Sequence, residues 1–175
     1  MALPLNISIL MEVVSERTKS FFLDELGISI NQITYGKESV QKLKLRYLTS
    51  LLAVEGKIKL YWAFSFDESL ITEAFKIYAQ GIDVSEDERD DYIEETAGDF
   101  INIIIGNAVS QFGEKGLPIN LSPPIIISEG KNIHRHRNGE FYTTVIETDF
   151  GKLDIYCIGS KEILNVDDAG ISKLK

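Results

Sequence analysis

The sequence predicts an α+β domain, a largely antiparallel sheet with helices packed on one face. Three observations lead there. Segments with a helical apolar period are separated by pairs of β-rich segments. Turn residues join the strands of each pair into hairpins. Helix followed by strand pair occurs twice, the pattern of an internal duplication. The 175 residues are 44% hydrophobic and 26% charged, enough for one core of normal size, and no low-complexity tract divides them. A single domain over residues 1–175 is therefore expected.

The first helix is opened by Asn6 as cap and stopped by Gly27, with Ile7, Leu10, Val14 and Phe21 on one face. Gln41 to Val54 is rich in β-branched, aromatic and leucine residues. Glu55-Gly56 turns the chain into a strand over Lys57–Phe66. Asp67 is placed to cap a second helix whose apolar residues Leu70, Ile71, Ala74, Phe75 and Ile77 run up to Gly81. Ser85 and Glu88 have the spacing of a capping box for a third helix running to Phe112, with Gly113 or Gly116 ending it. Gly116, Pro118 and Pro123-Pro124 mark a connection that is not helical. Strands are expected at Ile125–Ser128, Glu140–Thr148 and Lys152–Ile158, with Asp149-Phe150-Gly151 closing the last hairpin. The tail from Asn165 to Lys175 is polar and expected to fray.

Composition removes several functions. Eighteen basic against 27 acidic residues give a net charge of −9. Nonspecific nucleic-acid binding needs the opposite balance. One cysteine, Cys157, excludes an intrachain disulfide framework and a multi-thiolate zinc site. No apolar run approaches the ~20 residues of a membrane span. The start of the chain has no basic n-region and carries Glu12 where a signal core would lie, so a cytoplasmic protein is expected.

The third helix carries a polar stripe. Glu95, Asp99, Asn102 and Gly106 follow i, i+4, i+7, i+11 and share one side, while Ile93, Ala97, Phe100, Ile101, Ile104, Ala108 and Phe112 gather on another. Two glycines inside a helix each cost roughly 1 kcal/mol. Close approach of another backbone to Gly98 and Gly106 is the expected reason. Spacing alone is equally that of a solvated helix face.

The stretch from Glu95 to Ala108 resembles the signature helix of the CheX/CheC/FliY family of chemotaxis phosphatases, in which Glu-x-x-Asn is followed four positions on by a small residue. The hairpin at Gly56, the strand ending Phe64-Ser65-Phe66, the helix Asp67–Gln80 and the segment Leu121-Ser122-Pro123-Pro124-Ile125-Ile126 resemble the flanking parts of CheX proteins. The resemblance implies a CheC-like layered fold. It also implies a phosphatase acting on the aspartyl phosphate of a CheY-type receiver domain. In that role Asn102 orients the attacking water, a task suited to a carboxamide because it adds no negative charge beside phosphate. Asp99 docks the helix by pairing with a receiver lysine, and Glu95, Gly98 and Gly106 are the expected partner-binding residues. Asp99 stands where the family has Glu, shortening the reach by ~1.5 Å; Glu95, one turn earlier, is placed to compensate. The Mg²⁺ of the reaction belongs to the receiver, so no metal or cofactor of the chain's own is implied. CheX-type proteins are homodimers joined through their sheets, which is the expectation by analogy. CheC-like members often carry two sites, but Glu12-x-x-Ser15 and Glu16-x-x-Lys19 in the first helix lack the amide.

Two other readings stay open: a noncatalytic adaptor that binds receivers without hydrolysis, and a ligand-binding domain with a deep pocket away from Asn102. His134-x-His136 is expected to lie exposed near the Asn138-Gly139 turn rather than to bind metal. Ser122 and Cys157 have no motif that supplies a base, and Trp62 reads as core. The phosphatase reading requires Asp99 and Asn102 to be exposed together on the third helix.

Overall fold

The computed structural model describes residues 6–38, 42–56, 59–113 and 119–161. In chain order these form α1 (Ile7–Leu26), β1 (Ile30–Glu38), β2 (Lys42–Lys44), β3 (Leu48–Glu55), β4 (Lys59–Phe66), α2 (Glu68–Tyr78), α3 (Arg89–Gly113), β5 (Asn120–Leu121), β6 (Ile125–Ile127), β7 (Asn132–His134), β8 (Gly139–Thr148) and β9 (Gly151–Ser160). A 3-10 turn at Glu86–Glu88 precedes α3. The expected tail, Lys57-Ile58, Gly116 and Pro118 lie outside the described residues.

Seven strands form one sheet in the order β1-β8-β9-β4-β3-β5, with β6 also on β3, and the pairs are antiparallel. One face packs on the helices. Leu60, Trp62, Phe64 and Phe66 alternate along β4, and Leu153, Ile155 and Cys157 along β9, into the same core as Val14 and Phe22 of α1, Leu70 and Ile71 of α2, and Phe100 and Ile104 of α3. This is the expected layered α+β fold. The opposite face is not bare. There β2 and β7 pair as a small second sheet over Leu43, Leu45, Ala63, Phe141 and Tyr156.

Local chemistry explains the boundaries. Asn6 caps α1, its Oδ1 accepting from the Ile9 N–H at 3.1 Å, and Gly27 ends the helix in the left-handed region at φ 64°. The β8–β9 hairpin turns through Asp149 and Phe150, with Thr148 paired to Gly151. Two expectations are corrected, and β1 is a strand that the sequence reading did not anticipate. The segment Gln41–Val54 is not one strand: β2 leaves the main sheet and β3 begins only at Leu48. β1 carried no apolar alternation to announce it, because its described residues are mostly exposed and it is held by its ladder to β8. Asp67 precedes α2 but makes no side-chain cap bond, because its carboxylate is used elsewhere.

That use is an ion-pair network where β2 and β3 separate. Arg46 donates through Nε and Nη2 to the two oxygens of Asp154 at 2.7 and 3.1 Å, and through Nη1 to Asp67 at 2.8 Å. The other oxygen of Asp67 accepts from the Lys152 N–H at 2.7 Å, and Tyr156 donates to Asp154 at 3.0 Å. One guanidinium therefore ties the β2–β3 junction to β9 and to the start of α2. Removing it leaves Asp154, with a side chain only 10% exposed, without its counter-charge. Arg46→Ala should lower unfolding free energy by roughly 3 kcal/mol in urea titration, with a larger loss than Lys59→Ala, whose ion pair is exposed.

Candidate functional site

α3 is sorted into faces by its own sequence. Ala97, Phe100, Ile101, Ile104, Ile105 and Ala108 are buried against the sheet and the other helices. Phe100 is enclosed by rings, edge-on to Phe21 at 5.0 Å, Phe22 at 6.3 Å, Phe66 at 6.5 Å and Tyr78 at 5.2 Å between centroids. That arrangement fixes the rotation of the helix about its axis. Glu95, Asp99 and Asn102 consequently face solvent together, as the sequence required. Ser85 and Glu88 do not cap α3 as a reciprocal box. Their side chains meet each other, Oγ to Oε2 at 2.9 Å, and open the 3-10 turn instead.

The glycines have unequal reasons. Gly98 is buried, and a Cβ there would lie 3.4 Å from Ile126 Cδ1 and from Pro124 Cγ. It lets side chains, not the expected backbone, settle on the helix. At Gly106 the nearest such atom is Leu121 Cδ1 at 3.7 Å, an ordinary contact, so nothing there demands a glycine. Gly98, Asn102 and Gly106 are spaced i, i+4, i+8 along one line of α3, and Leu121 to Ile126 lies beside that line. This segment rests on β3. Leu121 pairs with Val54 and Ile125 with Leu51, while between them Ser122 exchanges bonds with Ala53. The Ser122 N–H donates to the Ala53 carbonyl at 2.9 Å, and Ser122 Oγ accepts from the Ala53 N–H at 2.8 Å and donates to the Pro123 carbonyl at 3.1 Å. With its hydroxyl so engaged, Ser122 is a structural group rather than a nucleophile.

An open groove of about 520 Å³ runs between α3 and this segment, lined by Asp91, Glu94, Glu95, Gly98, Asp99, Pro124 and Ile126. It brings together Glu95, Gly98 and Asp99. Asn102 stands on the next turn, outside the lining, and Gly106 a further turn away. Other concavities lie among the described residues. One of about 590 Å³ under β2 is lined by Arg46, Asp67, Asp154 and Tyr156, whose charges satisfy one another; one of about 300 Å³ lies between α1 and β1. Both open to solvent. Among the described residues no three His, Cys, Asp or Glu side chains converge as a metal site, and His134 and His136 are exposed.

Sequence reasoning missed Tyr78. It sits at the end of α2, its ring edge-on to Phe100, within reach of Asp99, the residue before Phe100. Its phenol is raised above the ordinary value, first by partial burial, then by the charge of Asp99 and hydrogen bonding to that carboxylate. Tyr47 is raised as well, by burial and then by Glu68, Asp90 and Glu94. Tyr78 and Asp99 lie on different helices, and no motif links them. Cys157 is fully buried between strands, and burial pushes its thiol far up, which leaves it unreactive.

The raised phenols favour the protonated form in the folded chain. Their contribution to stability is complete below about pH 10 and is lost as pH rises beyond it through the folded values. Asp99→Asn should move the Tyr78 transition downward in a UV-difference titration, with Tyr78→Phe identifying the transition. An unmoved transition would show that the two side chains do not interact.

The family model for the chemotaxis phosphatase CheX matches residues 48–147, which takes in β3 to the end of α3 and most of β8. No characterised protein matches by sequence. Among solved structures, a chemotaxis protein CheX from Desulfovibrio desulfuricans superposes with a TM-score of 0.72 at 14% identity, over 85% of this chain and 97% of that one. A putative chemotaxis protein from Desulfovibrio vulgaris Hildenborough gives 0.72 at 16% identity, over 87% and 97%. The CheX–CheY–BeF3–Mg²⁺ complex from Borrelia burgdorferi gives 0.66 at 16% identity, over 86% and 96%. Among the described residues no helix is long and apolar enough to cross a membrane. With more than half its length matched by the family model and its fold shared with these structures, the chain belongs to the CheX family of chemotaxis phosphatases.

Proposed function

We propose that this chain is a cytoplasmic phosphatase that removes the phosphoryl group from the aspartate of a CheY-type receiver domain, with Asn102 orienting the water and Asp99 docking the receiver. The observation that carries the reading is the joint exposure of Asp99 and Asn102 on consecutive turns of a helix whose rotation is fixed by its core. Family membership and the likeness to a CheX structure seen with CheY support it.

The chemistry asks little of the protein. An acyl phosphate is already activated, so the task is to hold water in line with phosphorus. The Asn102 amide oxygen accepts from that water and its NH₂ group remains a donor. As the water oxygen bonds to phosphorus, the bond from phosphorus to the aspartyl oxygen breaks. The receiver aspartate leaves as a carboxylate and inorganic phosphate is released. Mg²⁺ is supplied by the receiver, and the chain brings no cofactor. Asp99 pairs with a receiver lysine, Glu95 adds negative charge in the same groove, and Gly98 admits Pro124 and Ile126 as its apolar floor. Gly106, two turns beyond Gly98 on the same line of α3, is the remaining partner-contact position. The same surface without hydrolysis would make an adaptor, which the lifetime measurement below separates from an enzyme.

The chain should shorten the phosphoryl lifetime on its cognate receiver, and Asn102→Ala should remove about 100-fold of that acceleration while leaving binding to the BeF3-activated receiver intact. Equal acceleration by the variant would remove Asn102 from the mechanism; binding with no acceleration by the native chain would establish an adaptor. We also propose a homodimer joined through the sheets, supported by the outer edge of β1, which pairs with no strand among the described residues and where Tyr35 is half exposed. Sedimentation equilibrium should give twice the chain mass, and a monomer at micromolar concentration would refute it.

A further inference from the structure

We propose that Ser122 is a positioning residue for the Asn102 face, holding the Ser122–Pro123–Pro124 segment as a fixed wall beside it. This rests on the phosphatase reading above. The wall is needed because β3 has no continuous neighbour on that side. β5 ends at Leu121 and β6 starts at Ile125, and the two prolines between them have no N–H to give a ladder. A segment of this kind on a sheet edge is free to lift. Ser122 prevents it with both main chain and side chain, taking the Ala53 carbonyl with its N–H and the Ala53 N–H with its Oγ.

The position of the clamp gives it a functional reach. Leu121 touches the site of Gly106 and Pro124 touches Gly98. The residues between, Ser122 and Pro123, therefore pass at the level of Asn102, which lies midway between those glycines on the same line of α3. Pro124 and Ile126 then close the groove that holds Asp99. The hydroxyl also donates to the Pro123 carbonyl, which fixes the next peptide of the wall as well. A shift of this wall changes where a receiver can seat relative to Asn102. About 1 Å of misplacement is enough for a ~100-fold loss of rate.

The test compares Ser122→Ala, Ser122→Thr and Thr148→Val with the native chain. Thr148 makes a similar pair of hydrogen bonds at the distant β8–β9 turn, accepting from the Phe150 N–H and donating to the Gly151 carbonyl, so it controls for stability alone. Measured well below the melting temperature, Ser122→Ala should lower kcat about 10-fold. Ser122→Thr should restore it, and Thr148→Val should leave it unchanged at an equal loss of Tm. Amide exchange at Ala53 should quicken in Ser122→Ala and recover in Ser122→Thr. Native kcat in Ser122→Ala would overturn the positioning role even if Ala53 exchange quickens, while the phosphatase reading would stand. Equal losses of kcat in Thr148→Val would reduce Ser122 to general stability and overturn it too. A native chain that accelerates no receiver's dephosphorylation would overturn both readings.

Discussion

The site depends on the rotation of α3 about its own axis. A helix turns 100° per residue, so the direction of an exposed side chain is decided by whatever is buried on the other side. Here the decisive group is Phe100, fully buried and touched by four other rings. Burial of such a side chain contributes roughly 2–3 kcal/mol, and displacing it would cost that much before any polar contact is counted. Among the described residues no hydrogen bond aims the Asn102 amide. Its outward direction is inherited from the apolar face, which explains how a solvent-facing amide can be preorganised.

The second grip on α3 comes from the sheet edge. On its inner side β3 has β4 as a continuous neighbour, and on its outer side it has only the broken strand made by β5 and β6. The break permits the segment around Pro124 to lean over the helix, where it meets the position of Gly98 at contact distance. α1 is placed against β1 and β8 in the other part of the sheet and shows what happens without this arrangement. Its Glu12-x-x-Ser15 spacing leads nowhere, because Ser15 is buried and donates to the Met11 carbonyl at 2.8 Å. Spacing that resembles a site motif therefore carries no chemistry when its second member is turned into the core.

The parts of the fold legible in sequence are those whose determinants are local. Asn6 and Gly27 bracket α1, the β8–β9 hairpin is closed by its own turn, and the two faces of α3 follow from its periodicity. The illegible parts are set by partners far along the chain. β1 has a mostly polar outer surface and exists because β8 pairs with it; β2 is three residues long and is recruited by β7, about ninety positions away. Asp67 has the residue type and position of a helix cap, but Arg46 and the Lys152 N–H compete for its carboxylate and win. For the site, exposure of Asp99 and Asn102 followed from helix geometry, whereas Tyr78 beside Asp99 is a contact between helices that no spacing rule encodes.

The shorter acid at position 99 bears differently on docking and on chemistry. A carboxylate one methylene short loses ~1.5 Å of reach. In the proposed complex its counterpart is a lysine, whose flexible four-carbon stem can supply that distance. The amide of Asn102 has no such adjustable partner, because a water in line with phosphorus tolerates little displacement. Aspartate also has one torsion fewer than glutamate to immobilise, and the neighbouring Tyr78 phenol hydrogen-bonds to its carboxylate. On the proposed reading, the exchange of Glu for Asp falls on the strength of docking, where a long lysine can absorb it, and leaves the placement of the water to the rigid helix.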